Sequence, residues 1–291
     1  MYVLIILFGV ALARTPAVRQ EAEIYKDFLD NTRTEHGITL EQRMAASPKA
    51  KIWENSGRYE GDILLDDVLA DGLLQSHLTR KAYIWPDTKW PENTVVYEFA
   101  AAEFDEAQRL AILAAIRDIE QHTCIQFRER RDEETNYVLI TGKPDGCYAN
   151  VGFSADRGIH VFNLALNEPG SGCFVHTIII HEWLHIIGFV HMQSTYNRDD
   201  YVRVLWENVL SGTEHNFEAY SSEIVSNHGI PYEYASNMHY GPYGFSKNGE
   251  PTLLGYYDYD NEMGQLDYVT EWDWLRANRH YNCPGAWTTP V

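Results

Sequence analysis

Positive charge is what this chain has least of. Its 291 residues hold 23 Lys and Arg against 42 Asp and Glu, a formal net charge of −19. So acidic a protein repels phosphate backbones and anionic headgroups, which argues against nucleic acid and membrane surfaces as partners. Long apolar runs are missing as well: beyond Leu12 no stretch is long and apolar enough to anchor the chain in a bilayer. Cysteine is confined to Cys124, Cys147, Cys173 and Cys283, with no C-x-x-C pair, so a cysteine-ligated structural zinc is not expected. No N-x-[ST] sequon occurs, which excludes N-glycosylation. No internal repeat, linker or appended module is visible.

What is present begins with Tyr2 to Leu12, an apolar run too short to span a bilayer, ending in Ala11-Leu12-Ala13. This pattern predicts a signal peptide cut after Ala13 and a secreted, soluble, extracellular product. Behind such a leader an even number of cysteines reads as two disulfides, and the four residues leave three pairings open. From Arg14 to about Arg80 the chain is polar, with a weak helical segment at Glu21 to Leu29, and is expected to lean on something else for want of its own core. Within it Gly61 permits a tight turn that presents the Asp62 carboxylate. Thr79-Arg80-Lys81-Ala82 reads as a processing site for a trypsin-like protease. The expected division is therefore a signal peptide at 1–13, a propeptide at 14–80 and one domain at 81–291.

In that domain Thr94 to Phe99 is β-branched and aromatic enough for a strand, and further strands are predicted at Ile125 to Arg128, Tyr137 to Thr141 and Ile159 to Leu164. Asp105 caps a predicted helix running to about Gln121, with Leu110, Leu113 and Ile116 on its apolar side. Another helix begins near Val175. Its Ile178-Ile179-Ile180 run is a mediocre helix former but apolar nearly all round, which places it in the centre of the domain. Thr270-Glu271-Trp272-Asp273 has the form of a capping box opening a last helix to about Tyr281. The order predicts an α+β domain in which a small mixed sheet packs on two helices, followed by an irregular half with one late helix.

The central helix carries His181-Glu182-Trp183-Leu184-His185, then Gly188 and His191. Residues four apart share a helix face, so His181 and His185 point at the same ion, and Glu182 reaches its water without ligating. Gly188 lets the helix stop in a left-handed turn, and His191 returns as a third imidazole. Three imidazoles and a water make a zinc site with an open position, suited to hydrolysis. A chance match to H-E-x-x-H-x-x-G-x-x-H is on the order of one in ten thousand. His160, His176 and His239 read as structural or surface residues.

The elongated motif resembles that of the metzincin zinc peptidases. Ser236-Asn237-Met238-His239-Tyr240, followed by Gly241, Tyr243 and Phe245-Ser246, is similar to the Met-turn of the astacin family. Tyr59-Glu60-Gly61-Asp62 resembles that family's propeptide switch. The resemblance implies a two-lobed catalytic domain with a cleft between the lobes. It implies one Zn2+ per chain on His181, His185 and His191, with Glu182 as general base and then acid. Tyr240 would be a phenol able to join the metal as a fifth ligand and to stabilise the oxyanion, and Met238 a hydrophobic floor. Asp62 would hold the water position in the zymogen. The disulfides implied are Cys124–Cys283 and Cys147–Cys173. Partners would be protein or peptide substrates and an activating protease near Arg80, with the chain a monomer.

Three positions depart from the family pattern. Met192 replaces the Glu that follows the third ligand, and Thr195 and Asn197 replace an Arg and an Asp, while Arg198-Asp199-Asp200-Tyr201-Val202 still matches. The Glu of the family pairs with the new amino terminus, an ion pair that Met192 cannot make. The alternative these departures support is a catalytically silent binding protein on the same fold. A purely structural zinc domain is disfavoured by Glu182 and the open fourth position.

Overall fold

The computed structural model describes residues 16–33, 38–79, 88–222, 224–258 and 260–291. The expected signal peptide and the Arg80-Lys81 processing site lie outside the described residues.

Three helices precede the sheet: α1 Pro16–Thr32, α2 Leu40–Ala46 and α3 Asp67–Thr79. The weak helical segment is the middle of α1, while α2 and α3 have no counterpart in the sequence reading. This region leans on the rest of the chain, as expected, through a small apolar cluster. Leu29, Tyr59, Ile63, Leu65, Leu69, Ala70 and Leu73 supply most of it, closed by Val151, Val190 and Val225 from the rest of the chain. A few apolar residues from α1, α3 and the segment leading into α3 suffice once a larger surface covers their open side.

The main sheet has five strands: β1 Thr94–Phe99, β2 Gln126–Glu129, β3 Tyr137–Thr141, β4 Cys147–Ala149 and β5 Ile159–Leu164, in the order β2-β1-β3-β5-β4. All neighbours are parallel except β4, which runs antiparallel to β5 and forms an edge. An edge strand offers unpaired N–H and C=O groups. Here the earlier segment takes them up, Leu64 N–H donating to Ala149 O (2.8 Å) and Ala149 N–H to Asp62 O (2.9 Å).

Between β1 and β2 runs α4 Glu106–His122, opened by a reciprocal capping box of Asp105 and Gln108. Its buried face is Ile112, Ala115, Ile116 and Ile119. Leu110, expected on that face, is instead exposed, because the stripe that meets α5 His176–Ile186 is set one position further round the helix. Every residue of α5 after His176 is buried, with Trp183 stacked on Phe162 (4.2 Å between centroids) and edge-on to Phe127 (5.1 Å). Burial overrides the weak propensity of its isoleucines.

After α5 the chain is mostly short 3-10 turns, with a two-stranded ribbon, β6 Val202–Val204 against β7 Leu253–Gly255, and α6 Glu271–His280, capped by Thr270 and Asp273. Cys124–Cys283 ties the end of α6 to the region after α4, and Cys147–Cys173 ties β4 to the approach to α5. Closing 159 and 26 residues, they stabilise in the chain-entropy account by about 5 and about 3.5 kcal/mol.

Candidate metal centre

His181 and His185 sit one turn apart on α5, and the helix ends where it must for His191 to return. Gly188, at φ +110°, donates its N–H to His185 O (2.8 Å), and Phe189 N–H donates to Leu184 O (3.0 Å). A Cβ at Gly188 would lie 3.0 Å from His280 Nε2, so backbone conformation and packing both demand glycine there.

Each imidazole is oriented through Nδ1. His181 Nδ1 donates to Asn237 O (2.7 Å), His185 Nδ1 to Phe189 O (2.7 Å) and His191 Nδ1 to Glu60 Oε2 (2.9 Å). All three Nε2 lone pairs therefore converge on one point. His181 Nε2 and His191 Nε2 are 3.3 Å apart. The Asp62 carboxylate closes the group, with Oδ2 3.0 Å from His181 Nε2 and Oδ1 3.4 and 3.2 Å from the Nε2 atoms of His185 and His191. All four donor atoms lie within 4.8 Å of one another, and all four residues are buried.

These distances fit a metal. A tetrahedral ion bound at 2.0–2.1 Å has ligand–ligand edges of about 3.3 Å. His185 Nε2 and Asp62 Oδ1 are buried without a hydrogen-bond partner, an arrangement that is costly unless a cation satisfies them. Burial pushes the Asp62 carboxyl up, but the electrostatic pull of the neighbouring His191 and His185 and the contact with His181 outweigh it and hold Asp62 well below the ordinary carboxylate range.

Glu182 is fully buried beside this group, and neither of its oxygens has a hydrogen-bond partner. Burial, and after it the Asp62 charge, raises its pKa well above the usual value. Tyr240 is fully buried, its ring 4.8 Å from that of His191, and its hydroxyl donates to Glu60 O (2.7 Å). Burial, reinforced by Glu60 and Asp62, keeps the phenol protonated and hence a donor. Met238 is buried in the core and its carbonyl accepts the N–H of Met192 (2.8 Å). The Met-turn is itself held by α6, as Asn237 N–H and Ser236 Oγ donate to the Asp273 carboxylate (2.7 and 2.6 Å).

Of the departures, Met192 is a core residue, and Thr195 Oγ1 donates to its carbonyl (2.8 Å), with Asn197 Oδ1 3.3 Å away. Neutral hydrogen bonds thus fill this region. His160 is buried between main-chain partners at Ser154 and Gly158, and His239 between Tyr232 and Tyr240 O. His176 is a surface residue paired with Asp118.

Three site residues escape a reading of the sequence. Glu60 orients His191 through its side chain and engages Tyr240 through its carbonyl. Trp53, fully buried, stacks on His191 (5.2 Å between centroids) and packs at a tilt against His181 and Tyr240 (4.4 and 5.3 Å). Glu54 accepts the N–H groups of Gly241 and Lys51 (2.7 Å each). Residues 53–64 therefore lie in a cleft between β4 and the Met238–Gly241 turn. Two signs were available: Glu60 lies inside the Tyr59-Glu60-Gly61-Asp62 motif, and Trp53 is a tryptophan in a largely polar stretch.

A buried H-E-x-x-H helix with a third imidazole from the return turn, a convergent acceptor set and an α+β fold define the class: this is a zinc metalloendopeptidase with a single metal site. Its family follows from likeness to known proteins. The family model Astacin, a peptidase family, matches residues 83–282, and the chain belongs to that family. Zinc metalloproteinase nas-4 of Caenorhabditis elegans is 34% identical over 242 residues, 82% of this chain and 73% of the relative. Meprin A subunit beta of Homo sapiens is 34% identical over 229 residues, 78% of this chain but 30% of the subunit. The solved structure of high choriolytic enzyme 1, a hatching enzyme zinc-protease from Oryzias latipes (medaka fish), is similar with a TM-score of 0.60 at 30% identity, covering 69% of this chain and 94% of that one.

Proposed function

We propose that this chain is a secreted zinc endopeptidase made in latent form, with a signal peptide at 1–13, a propeptide at 14–80 and the peptidase domain at 81–291. The observation that carries the reading is the Asp62 carboxylate, within 3.0–3.4 Å of the Nε2 atoms of all three histidines. In this reading His181, His185 and His191 hold the zinc and Asp62 takes the place of the water. When bound, zinc lowers the pKa of its water and polarises the substrate carbonyl.

The chain's own residues do the rest. Glu182, with both oxygens unpartnered, accepts the proton of the attacking water and delivers it to the departing amine. Tyr240 leaves Glu60 O when the propeptide departs and donates its hydrogen bond to the oxyanion, a contribution of about 2.7–4 kcal/mol for such a donor. Met238 floors the site. A trypsin-like protease cutting near Arg80 releases the propeptide, and the product acts as a monomer on protein or peptide substrates outside the cell. With Met192 unable to pair with an amino terminus, activation rests mainly on withdrawing Asp62 from the metal. Mature forms starting at Lys81 and Ala82 should then have similar activity, and a steep dependence on that first residue would contradict this.

The test of the reading is digestion of denatured casein. Material processed near Arg80 should digest it and a chelator should stop it, while the full-length chain stays inactive. Zinc-loaded, processed protein without proteolysis would favour the silent binding protein instead.

A further inference from the structure

The leader is gripped a second time, away from the histidines. Arg58 Nη2 lies 2.5 Å from Asp145 Oδ2, and the guanidinium sits over the Tyr148 ring, 4.2 Å from its centroid. The Tyr148 hydroxyl donates to Asp145 Oδ1 (3.1 Å), which fixes the carboxylate beside the ring. The Arg58 side chain is only 10% exposed, while that of Asp145 is 42% exposed. The slot thus encloses the cation and opens to solvent at its carboxylate end.

Ownership of the two sides matters. Arg58 belongs to the segment proposed to leave, and Asp145 and Tyr148 belong to the part proposed to stay. Tyr148 is the central residue of β4, and the next residue, Ala149, pairs through its main chain with Asp62 O and Leu64 N–H. The slot therefore lies along the same edge strand that holds an extended segment in place with a carboxylate at the histidines. A substrate pairing with that edge by strand addition would carry its side chains past the same slot.

We infer that Asp145 and Tyr148 form a substrate subsite for a cationic side chain, filled by Arg58 in the latent chain and vacant for substrate once the leader is gone. Arginine should be preferred to lysine, because a planar guanidinium stacks on the ring and reaches the carboxylate at once. The inference rests on the proposed peptidase activity and specifies what its cleft selects.

Two measurements test it. The first uses paired fluorogenic peptides, each differing only in Arg or Gln at one position near the cleaved bond, with full-length chain processed near Arg80. At one position Arg should be favoured over Gln by about tenfold in kcat/KM, carried by KM. Asp145→Asn should reduce that ratio to near one, and Asp145→Lys should shift the preference to Glu. Because each ratio is taken within one preparation, partial misfolding cancels. Absence of any Arg preference in the wild type, or a ratio unaltered by Asp145→Asn, would overturn the inference.

The second measurement needs no turnover. A labelled peptide spanning residues 51–65 is titrated onto processed, zinc-loaded protein carrying Glu182→Gln. Replacing Arg58 by Gln in the peptide should weaken binding about tenfold when Asp145 is present and hardly at all with Asp145→Asn. Additive effects of the two changes would overturn the slot itself. If no peptide or casein is cleaved while this coupling holds, the peptidase reading has failed and the cation slot has not.

Discussion

The zinc-site histidines are held in two different ways. On the α5 side, His181 and His185 are oriented by main-chain carbonyls, Asn237 O and Phe189 O, of elements that stay with the peptidase domain. On the return-loop side, His191 is oriented by Glu60, a residue of the proposed propeptide. The same residue's carbonyl accepts the Tyr240 hydroxyl. One part of the site is thus oriented by its own backbone, and the other by the segment proposed to be released. In the proposed latent form the block is more than a plugged metal, because Glu60 engages both His191 and Tyr240.

The largest effect expected on this contrast is at Glu182, on the permanent side. Glu182→Gln should abolish casein digestion by processed protein and leave zinc content near one per chain, since the proposed role of the residue is to move protons and not to hold the metal. Loss of zinc with the activity would contradict that role. Tyr240→Phe comes next, with kcat lower by on the order of ten- to a thousandfold and zinc retained. A change in metal content rather than rate would show that the phenol is needed to build the site.

Glu60→Gln addresses the borrowed side directly. In the full-length chain it should weaken zinc retention against a competing chelator by about ten- to a hundredfold, as loss of a residue orienting a metal ligand does. Once the leader has been removed, the variant and wild-type enzymes share one sequence and should be indistinguishable. Equal retention in both full-length proteins would place His191 on the same footing as its neighbours.

The effect furthest from the metal chemistry is a pH dependence at Glu54. Burial raises its pKa to about 7, opposed by the hydrogen bonds from Lys51 and Gly241 N–H. The folded chain then holds a proton that an unfolded glutamate releases near 4.3. Between about pH 4.5 and 7 the folded state binds more protons, so stability contributed by this group is present at the acid end and lost as pH rises. The loss across the window should be up to about 3 kcal/mol. Thermal unfolding of the full-length chain at pH 5 and pH 8, compared with Glu54→Gln, checks it. Parallel pH profiles for the two proteins would remove Glu54 from the account.

How far the sequence is readable follows the same division. The metal motif lies within eleven consecutive residues, and α4 and α6 announce themselves through caps at Asp105 and Thr270. Such local signals need no knowledge of the fold. Leu110 shows their resolution: an apolar residue near a stripe is not always on it. β4 spans Cys147–Ala149, too few residues for a period to appear, and exists because β5 pairs with it. Glu60 and His191 are 131 residues apart, and Trp53 meets the histidines only once the leader crosses the cleft, so neither contact leaves a pattern in the chain.

X-ray absorption at the zinc edge, on the full-length chain and on Asp62→Ala, addresses the central claim most directly. One zinc per chain is expected in both, bound by three imidazoles, with a carboxylate oxygen in the first replaced by water oxygen in the second. Full-length protein holding no stoichiometric zinc, or zinc bound by fewer than three imidazoles, would contradict it.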